Sequence, residues 1–199
     1  MAVSDILISP ATIWYAPTGE SLPDETTIDF GESWGGNWTS LGYTLTPVSV
    51  SYTQEVFDLE VEQITNPVRR QITKEDVMFE TTLAELTGDN LALAFNGTKT
   101  STAAAAGQRA YDLIEAGGRV DLDEYAFGLE GLYKDSSNNE FPVRIFLYRA
   151  TAVLNGQMTF GKSAGVGIPI QIRAMADTTK STGKQILAIH KVTAKATDE

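Results

Sequence analysis

The chain has 199 residues, a hydrophobic fraction of 42% and a formal net charge of −11, from 26 acidic and 15 basic residues. This length is enough for one well-buried core, so we predict a single domain over residues 1–199, with a short N-terminal arm (1–9) and a polar tail (193–199). The lack of cysteine excludes disulfides and thiolate chemistry, and the acidic balance argues against a basic surface for duplex DNA. Because neither a long apolar run nor a secretory signal is found, we expect no membrane association.

The N-terminal part is predicted to be short strands joined by loops. Alternation over Thr12–Ala16 predicts a strand before Pro17, and a second short strand is expected at 27–30. An irregular, glycine-rich loop follows at 31–42 and holds Trp34 and Trp38. We predict that these two rings pack against the body or a subunit contact, and keep a stacking platform for a ligand such as a sugar as the alternative.

The next segment predicts a strand that leads into a long polar loop. Val48, Val50 and Tyr52 alternate with small polar residues, and the phase slips near Val56 and Phe57, which predicts a β-bulge or bend. Residues 64–72 are interpreted as loop because Asn66-Pro67 is a turn signal and Pro67 lacks a backbone donor. The sequence therefore predicts a long extended loop at about 57–76.

A return strand and the only convincing helix come next. Val77, Phe79, Thr81 and Leu83 share one strand face, and Thr87 is placed to cap a short flanking helix at about 87–96. Gly97 stands where a C-terminal stop belongs. A helix this short must be held by packing on a sheet rather than by its own propensity.

The second half is predicted to be a strand meander. Residues 98–108 are expected to be a loop or connector and 109–114 a short edge strand. Alternation predicts a hairpin of 125–133 with 141–153, whose return strand is apolar on both faces and therefore central. After a tight turn at Asn155-Gly156, the meander continues through 157–162 and 168–177, with Pro169 at an edge or a strand start, and ends at 185–192. The fold class predicted is mainly β: an antiparallel β-sandwich or barrel with one short helix.

Four patterns resemble sites of chemistry, and each is better explained by structure. Residues 156–163 match the phosphate-binding P-loop pattern, but the context is strand-like and no helix can follow. The acidic cluster Asp121, Asp123 and Glu124 lacks the other ligands of a calcium loop. Glu60 and Glu62 are interpreted as solvated or ion-paired rather than as a hydrolase pair, and His190 has no nucleophile in its sequence context. We therefore predict no enzymatic activity, no metal site and no cofactor.

The segment 43–97 resembles the tail tube (major tail) proteins of long-tailed bacteriophages. The likeness lies in a strand, a polar loop with Glu62-Gln63 and Asn66-Pro67-Val68, a second strand, LAELT at 83–87 and a short helix. The closing strand IPIQIRAMAD at 168–177 is also similar to that family. The resemblance implies a structural virion protein of the tail, made in the host cytoplasm, that self-assembles into six-fold rings stacked as a hollow tube.

The resemblance also implies partners and contacts. The partners are further copies of the chain and the tape measure, tail terminator and distal tail proteins, while DNA passes through the lumen without specific binding. The loop is then expected to reach the next ring, with contact candidates Glu60, Glu62, Gln63, Asn66, Pro67, Arg69, Arg70 and Lys74. The alternative function, from a different class, is a monomeric β-sandwich binding module that uses Trp34 and Trp38.

Overall fold

The computed structural model describes residues 10–135, 139–162 and 165–194. It is mainly β, with antiparallel sheets and one helix in the described part, as the sequence predicts. The elements are β1 (Thr12–Pro17), β2 (Thr39–Ser40), β3 (Ser49–Val61), β4 (Ile64–Leu83), α1 (Gly88–Phe95), β5 (Thr98–Thr102), β6 (Tyr111–Glu115), β7 (Glu124–Lys134), β8 (Glu140–Leu154), β9 (Ile168–Ala174) and β10 (Leu187–Lys191).

The strands of the main sheet follow the order β2-β1-β7-β8-β9-β4-β3, and β5 forms a separate two-stranded sheet with β6. The long strand β8 is central, as predicted. Along one edge it pairs with β7, and along the other its first half pairs with β10 and its second half with β9. Because β8 is shared in this way, the strands form two facing layers: β2-β1-β7-β8-β10 and β8-β9-β4-β3. This arrangement is a β-sandwich.

The core lies between these layers and is closed by α1. Alternate residues of β7 and β8, such as Phe127 and Leu147, face Phe79 of β4 and Ile172 of β9 across the layer gap. The helix begins at the predicted cap, because the Thr87 hydroxyl accepts a hydrogen bond from the Asn90 amide. It ends at Asn96, whose backbone adopts the left-handed conformation that often ends a helix. The sequence predicted this role for the next residue, Gly97.

A second apolar cluster covers the other face of β1, β7 and β8. The segment 20–38, here called the strap, crosses this face and inserts Trp34 and Trp38 against Trp14 and Phe146. The Trp14 and Trp34 rings stack with centroids 5.1 Å apart. Gly128 lies directly under the Trp34 ring, where any side chain would collide with it. Strands β1, β7 and β8 are thus buried on both faces.

Several local predictions are wrong, for physical reasons. Residues 27–30 form no strand, because they belong to the strap; the short strand is β2, inside the predicted loop 31–42. Residues 98–102 are not a connector but form β5, because β6 offers them a pairing partner. The segment 157–162 is not a strand, since no neighbour pairs with it. Pro169 lies at the start of β9, as one alternative proposed, but β9 is an interior strand.

Candidate functional site

Beyond the sandwich, β3 and β4 continue together as a projecting hairpin. Strand β9 accompanies β4 only from Met78 to Leu83, whereas the pairing of β3 with β4 extends outward to Val61 and Ile64. We call residues 55–74 the arm. At about 3.3 Å per residue it projects roughly 20 Å from the body. Neither of its long edges pairs with another strand of the described residues.

The arm corrects the interpretation of residues 64–72 as loop. The extended segment expected at 57–76 is present, but it is a paired hairpin that closes at the turn Glu62-Gln63. The predicted bulge is confirmed by the register shift between Glu55 and Val56, where Thr73 is the extra residue on β4. Pro67 lies in the second register shift, between Leu59 and Val61 on the partner strand. Proline is tolerated there because ladder hydrogen bonds are already interrupted.

Apolar side chains cover both faces of the arm and are left exposed. Residues directly opposite in an antiparallel pair share a face, so Val56 and Ile72 continue the core-facing side of the hairpin. Phe57, Leu59 and Val61 alternate on the opposite side, here called the outer face, and are 56%, 45% and 38% exposed. A contiguous exposed apolar surface on a projecting element is typical of a protein–protein contact.

The predicted contact candidates all lie on the arm or at its tip. Arg70 forms a two-pronged ion pair with Asp58, at 2.9 Å for each bond, and Lys74 pairs with Glu55 at 3.0 Å. The guanidinium of Arg69 has no hydrogen-bond or ion-pair partner among the described residues, and it shares the outer face with Leu59. The remaining candidates, nearer the tip, are Glu60, Glu62, Gln63, Asn66 and Pro67.

Beside the base of the arm, the two layers of the sandwich separate and leave an apolar cleft. It consists of two adjoining cavities of about 530 and 710 Å³, both lined by Val50 and Ile145. Tyr52 and Val77 line it from the β3–β4 side, and Leu187 and Ile189 from β10. Ile189 is 60% exposed. The sequence did not predict this cleft, because it depends on β10 pairing with β8 rather than covering β3.

Two charged residues, Glu75 and Lys184, line the cleft. The Oε1 atom of Glu75 accepts hydrogen bonds from the Tyr52 hydroxyl at 2.6 Å and the Gln54 amide at 2.9 Å. These bonds hold the pKa of the Glu75 carboxyl below its usual value. Its Oε2 atom accepts no hydrogen bond from the described residues, so one oxygen of an ionised carboxylate remains available at the cleft.

The structure does not offer Trp34 and Trp38 as a ligand platform. The two residues are 3% and 6% exposed, and their rings are enclosed by the strap and the sheet. The Trp38 indole donates to the Ser21 carbonyl at 2.8 Å, so its polar edge is also occupied. This is the packing role that the sequence favoured, and it removes the observation on which the sugar-binding alternative depended.

The other patterns form no reactive site in the described part of the chain. The acidic cluster is divided, because Asp123 pairs with Arg119 and Glu124 with Arg149. No group of three possible metal ligands occurs among the described residues. His190 Nδ1 lies 2.9 Å from Glu25 Oε1, and no nucleophile contacts the ring in the described part of the chain. Residues 157–162 of the P-loop-like segment are irregular, and Ser163 lies outside the described residues. The predicted N-terminal segment 1–9 and most of the predicted tail also lie outside the described residues.

A β-sandwich whose projecting hairpin exposes apolar side chains is typical of a protein that binds a partner through that hairpin. The comparison with protein families shows the family of the chain. The family model described as phage tail tube protein matches residues 4–196. The chain belongs to this family and is a structural component of the phage tail tube. No curated protein matches it, and no helix in the described part could cross a membrane.

Proposed function

We propose that the chain assembles into six-fold rings that stack as the hollow tail tube, through which phage DNA passes into the host. The single observation that carries this proposal is the arm. Burying side chains such as Phe57 and Leu59 stabilises a contact by roughly 1.5–3 kcal/mol each. In the isolated chain these side chains are exposed to solvent. Neighbouring subunits are the partners that a tube component would meet along its whole length.

The unpaired strand edges support the same proposal. Among the described residues, no strand pairs with the outer edge of β3 or with the β9 side of β4 between Ile64 and Val77. Long exposed edges are a hazard for a monomer, because they present unpaired backbone donors and acceptors to any other chain. In a ring, the edges of neighbouring subunits cover one another and the hazard disappears. A tube lumen also benefits from the net charge of −11, since repulsion keeps phosphates from binding tightly.

The proposed contacts and partners follow from this arrangement. The arm reaches the next ring, and the candidates Glu60, Glu62, Gln63, Asn66, Pro67, Arg69, Arg70 and Lys74 meet the neighbouring subunit. The tape measure, tail terminator and distal tail proteins complete the tail around the tube. The subunit is made in the host cytoplasm as a single domain and catalyses no reaction.

Negative-stain electron microscopy of the purified chain across concentration tests the proposal. We expect rings or hollow tubes. Uniform small particles at every concentration, also when tail initiator components are added, would contradict it.

The arm assignment has its own test in the double variant Arg69→Glu with Arg70→Glu. We expect this variant to remain a folded monomer that grows no tubes, because the charge reversal lies on the arm. The matched control is Arg109→Glu with Arg119→Glu, which makes the same charge change outside the arm. Normal tubes from the arm variant, or an equal defect in the control, would contradict the role of the arm.

A further inference from the structure

The arm and the cleft are complementary surfaces that cannot meet within one chain. The cleft is lined by the face of β3 that carries Val50 and Tyr52, whereas Phe57, Leu59 and Val61 lie on the opposite face of the same strand. The outer face of the hairpin points away from the cleft of its own chain, because the opposite face of the same hairpin borders that cleft. Each surface therefore needs a second molecule.

The chemistry of the two surfaces matches. The outer face of the arm carries three alternating apolar side chains and Arg69, whose guanidinium has no partner in the part of the chain that the structure describes. The cleft is mainly apolar and is lined by two charged residues, Lys184 and Glu75. The Oε2 atom of Glu75, at the base of the arm, accepts no hydrogen bond from the described residues. Its two cavities, about 530 and 710 Å³, lie in the size range of sites that enclose several groups of a ligand.

We propose that the cleft of one subunit binds the outer face of the arm from a second copy of the chain. In this contact the apolar residues of the cleft pack against Phe57, Leu59 and Val61 of the neighbouring arm. The Arg69 guanidinium forms an ion pair with the Glu75 carboxylate. This inference rests on the proposed function and names the receptor for the arm. Because the two surfaces are different patches, the contact is heterologous: each subunit binds one neighbour by its arm and another by its cleft. Such a contact continues from subunit to subunit instead of stopping at a dimer.

This arrangement is tested by two variants with complementary defects. The arm variant, Phe57→Asp with Leu59→Asp, keeps an intact cleft. The cleft variant, Val50→Asp with Ile189→Asp, keeps an intact arm. We expect each to be monomeric alone. When mixed they should form a 1:1 dimer and nothing larger, because only one productive contact remains per pair. Size-exclusion chromatography with light scattering and native mass spectrometry measure the result.

The control is Val120→Asp, an equally polar change at a residue that is 96% exposed and lies outside both surfaces. It should assemble like the unmodified chain. A mixture of the two variants that stays monomeric, or a cleft variant that assembles normally, would overturn the inference. Tubes of the unmodified chain alongside a monomeric mixture would overturn only this inference, whereas failure of the unmodified chain to form tubes would contradict the proposed function.

The chain contains no cysteine, which provides a second measurement if the aspartate variants fold poorly. A Leu59→Cys chain mixed with an Ile189→Cys chain should form a disulfide-linked heterodimer on a non-reducing gel. The pair Leu59→Cys with Val120→Cys should give only background. Equal yields from the two mixtures would overturn the inference.

Discussion

At the scale of single residues, the most constrained side chain is Arg144. It is fully buried, its Nε donates to Glu130 Oε1 at 2.9 Å, and it also pairs with Glu25 of the strap. One of its terminal nitrogens donates to the Ile28 carbonyl at 2.9 Å. A buried charge is tolerable only when it is paired and fully hydrogen-bonded. Arg144 therefore holds the strap on the sheet at a position where an apolar residue could not.

We expect Arg144→Met to destabilise the folded chain by about 3–5 kcal/mol, because it leaves the Glu130 carboxylate buried without its cation. The matched control is Arg149→Met, which removes an ion pair with Glu124 whose side chains are 39% and 34% exposed. That change should cost less than about 1 kcal/mol. Urea unfolding followed by tryptophan fluorescence measures both, and equal costs would contradict the structural role of Arg144.

At the scale of elements, the arm is a hairpin whose stability comes largely from its base. Its residues from Val56 to Thr73 contribute nothing to the two apolar clusters of the body. Isolated two-stranded hairpins are marginal in water. The cross-strand ion pairs and the continuous ladder into β3 and β4 keep it extended. The arm can therefore be changed without disturbing the fold.

We expect a chain in which residues 56–73 are replaced by Asn-Gly to fold with nearly unchanged thermal stability. Glu55 and Lys74 are direct partners, so a two-residue turn can join them. The same chain should form no tubes. Calorimetry and electron microscopy provide the two measurements. A large loss of thermal stability would show that the arm supports the body after all.

Strands β4 and β9 are connected by an ion pair as well as by backbone hydrogen bonds. The Arg173 guanidinium donates to Asp76, with Nε 2.8 Å from Oδ1, and this hydrogen bond lowers the pKa of the Asp76 carboxyl below its usual 3.8. A carboxyl with a lowered folded-state pKa stabilises the fold fully above its unfolded-state pKa. It loses that contribution as the pH falls through the lower, folded-state value.

We therefore expect the free energy of unfolding to fall on acidification, and to fall less in Asp76→Asn. The comparison is urea unfolding from about pH 5 downward, the range in which a lowered carboxyl loses its contribution. Arg173→Met should flatten the pH dependence in the same direction, because it removes the cause of the pKa shift. Identical pH dependence in all three chains would contradict this assignment.

At the scale of the whole molecule, two forces oppose each other in any assembly. Every subunit carries a net charge of −11, so bringing copies together is resisted by repulsion. The apolar arm and the open cleft favour association through the hydrophobic effect, which does not depend on charge. A single ion pair made by Arg69 would be a small attraction beside a net charge of −11 on each subunit.

Salt should therefore promote assembly. The Debye length falls from about 10 Å at 0.1 M salt to about 3 Å at 1 M, which screens the repulsion between subunits. We expect the lowest protein concentration at which tubes appear to decrease over this range, as measured by light scattering. An increase would mean that cross-subunit ion pairs, rather than apolar contacts, dominate the interface.

Much of the architecture could be predicted because it depends on local pattern. Alternation identified β1, β7 and β9, the Thr87 hydroxyl marked the start of α1, and the phase slip near Val56 located the bulge. The contact candidates from Glu60 to Lys74 belong to one largely polar segment of the sequence, and the structure places them all on one hairpin. Their contacts with other subunits stay predictions, as does the single-domain organisation.

What the sequence by itself determined is therefore the β class, the helix cap and the projecting segment, since each depends on neighbours a few residues apart. Only the tertiary structure decided that residues 64–72 are a strand, because the ladder with β3 outweighs the local turn signal of Asn66-Pro67. It also decided that the Trp34 and Trp38 rings are buried and that the cleft is open. Those properties depend on the strap crossing β1, β7 and β8 and on β10 pairing with β8, contacts between segments far apart in the chain.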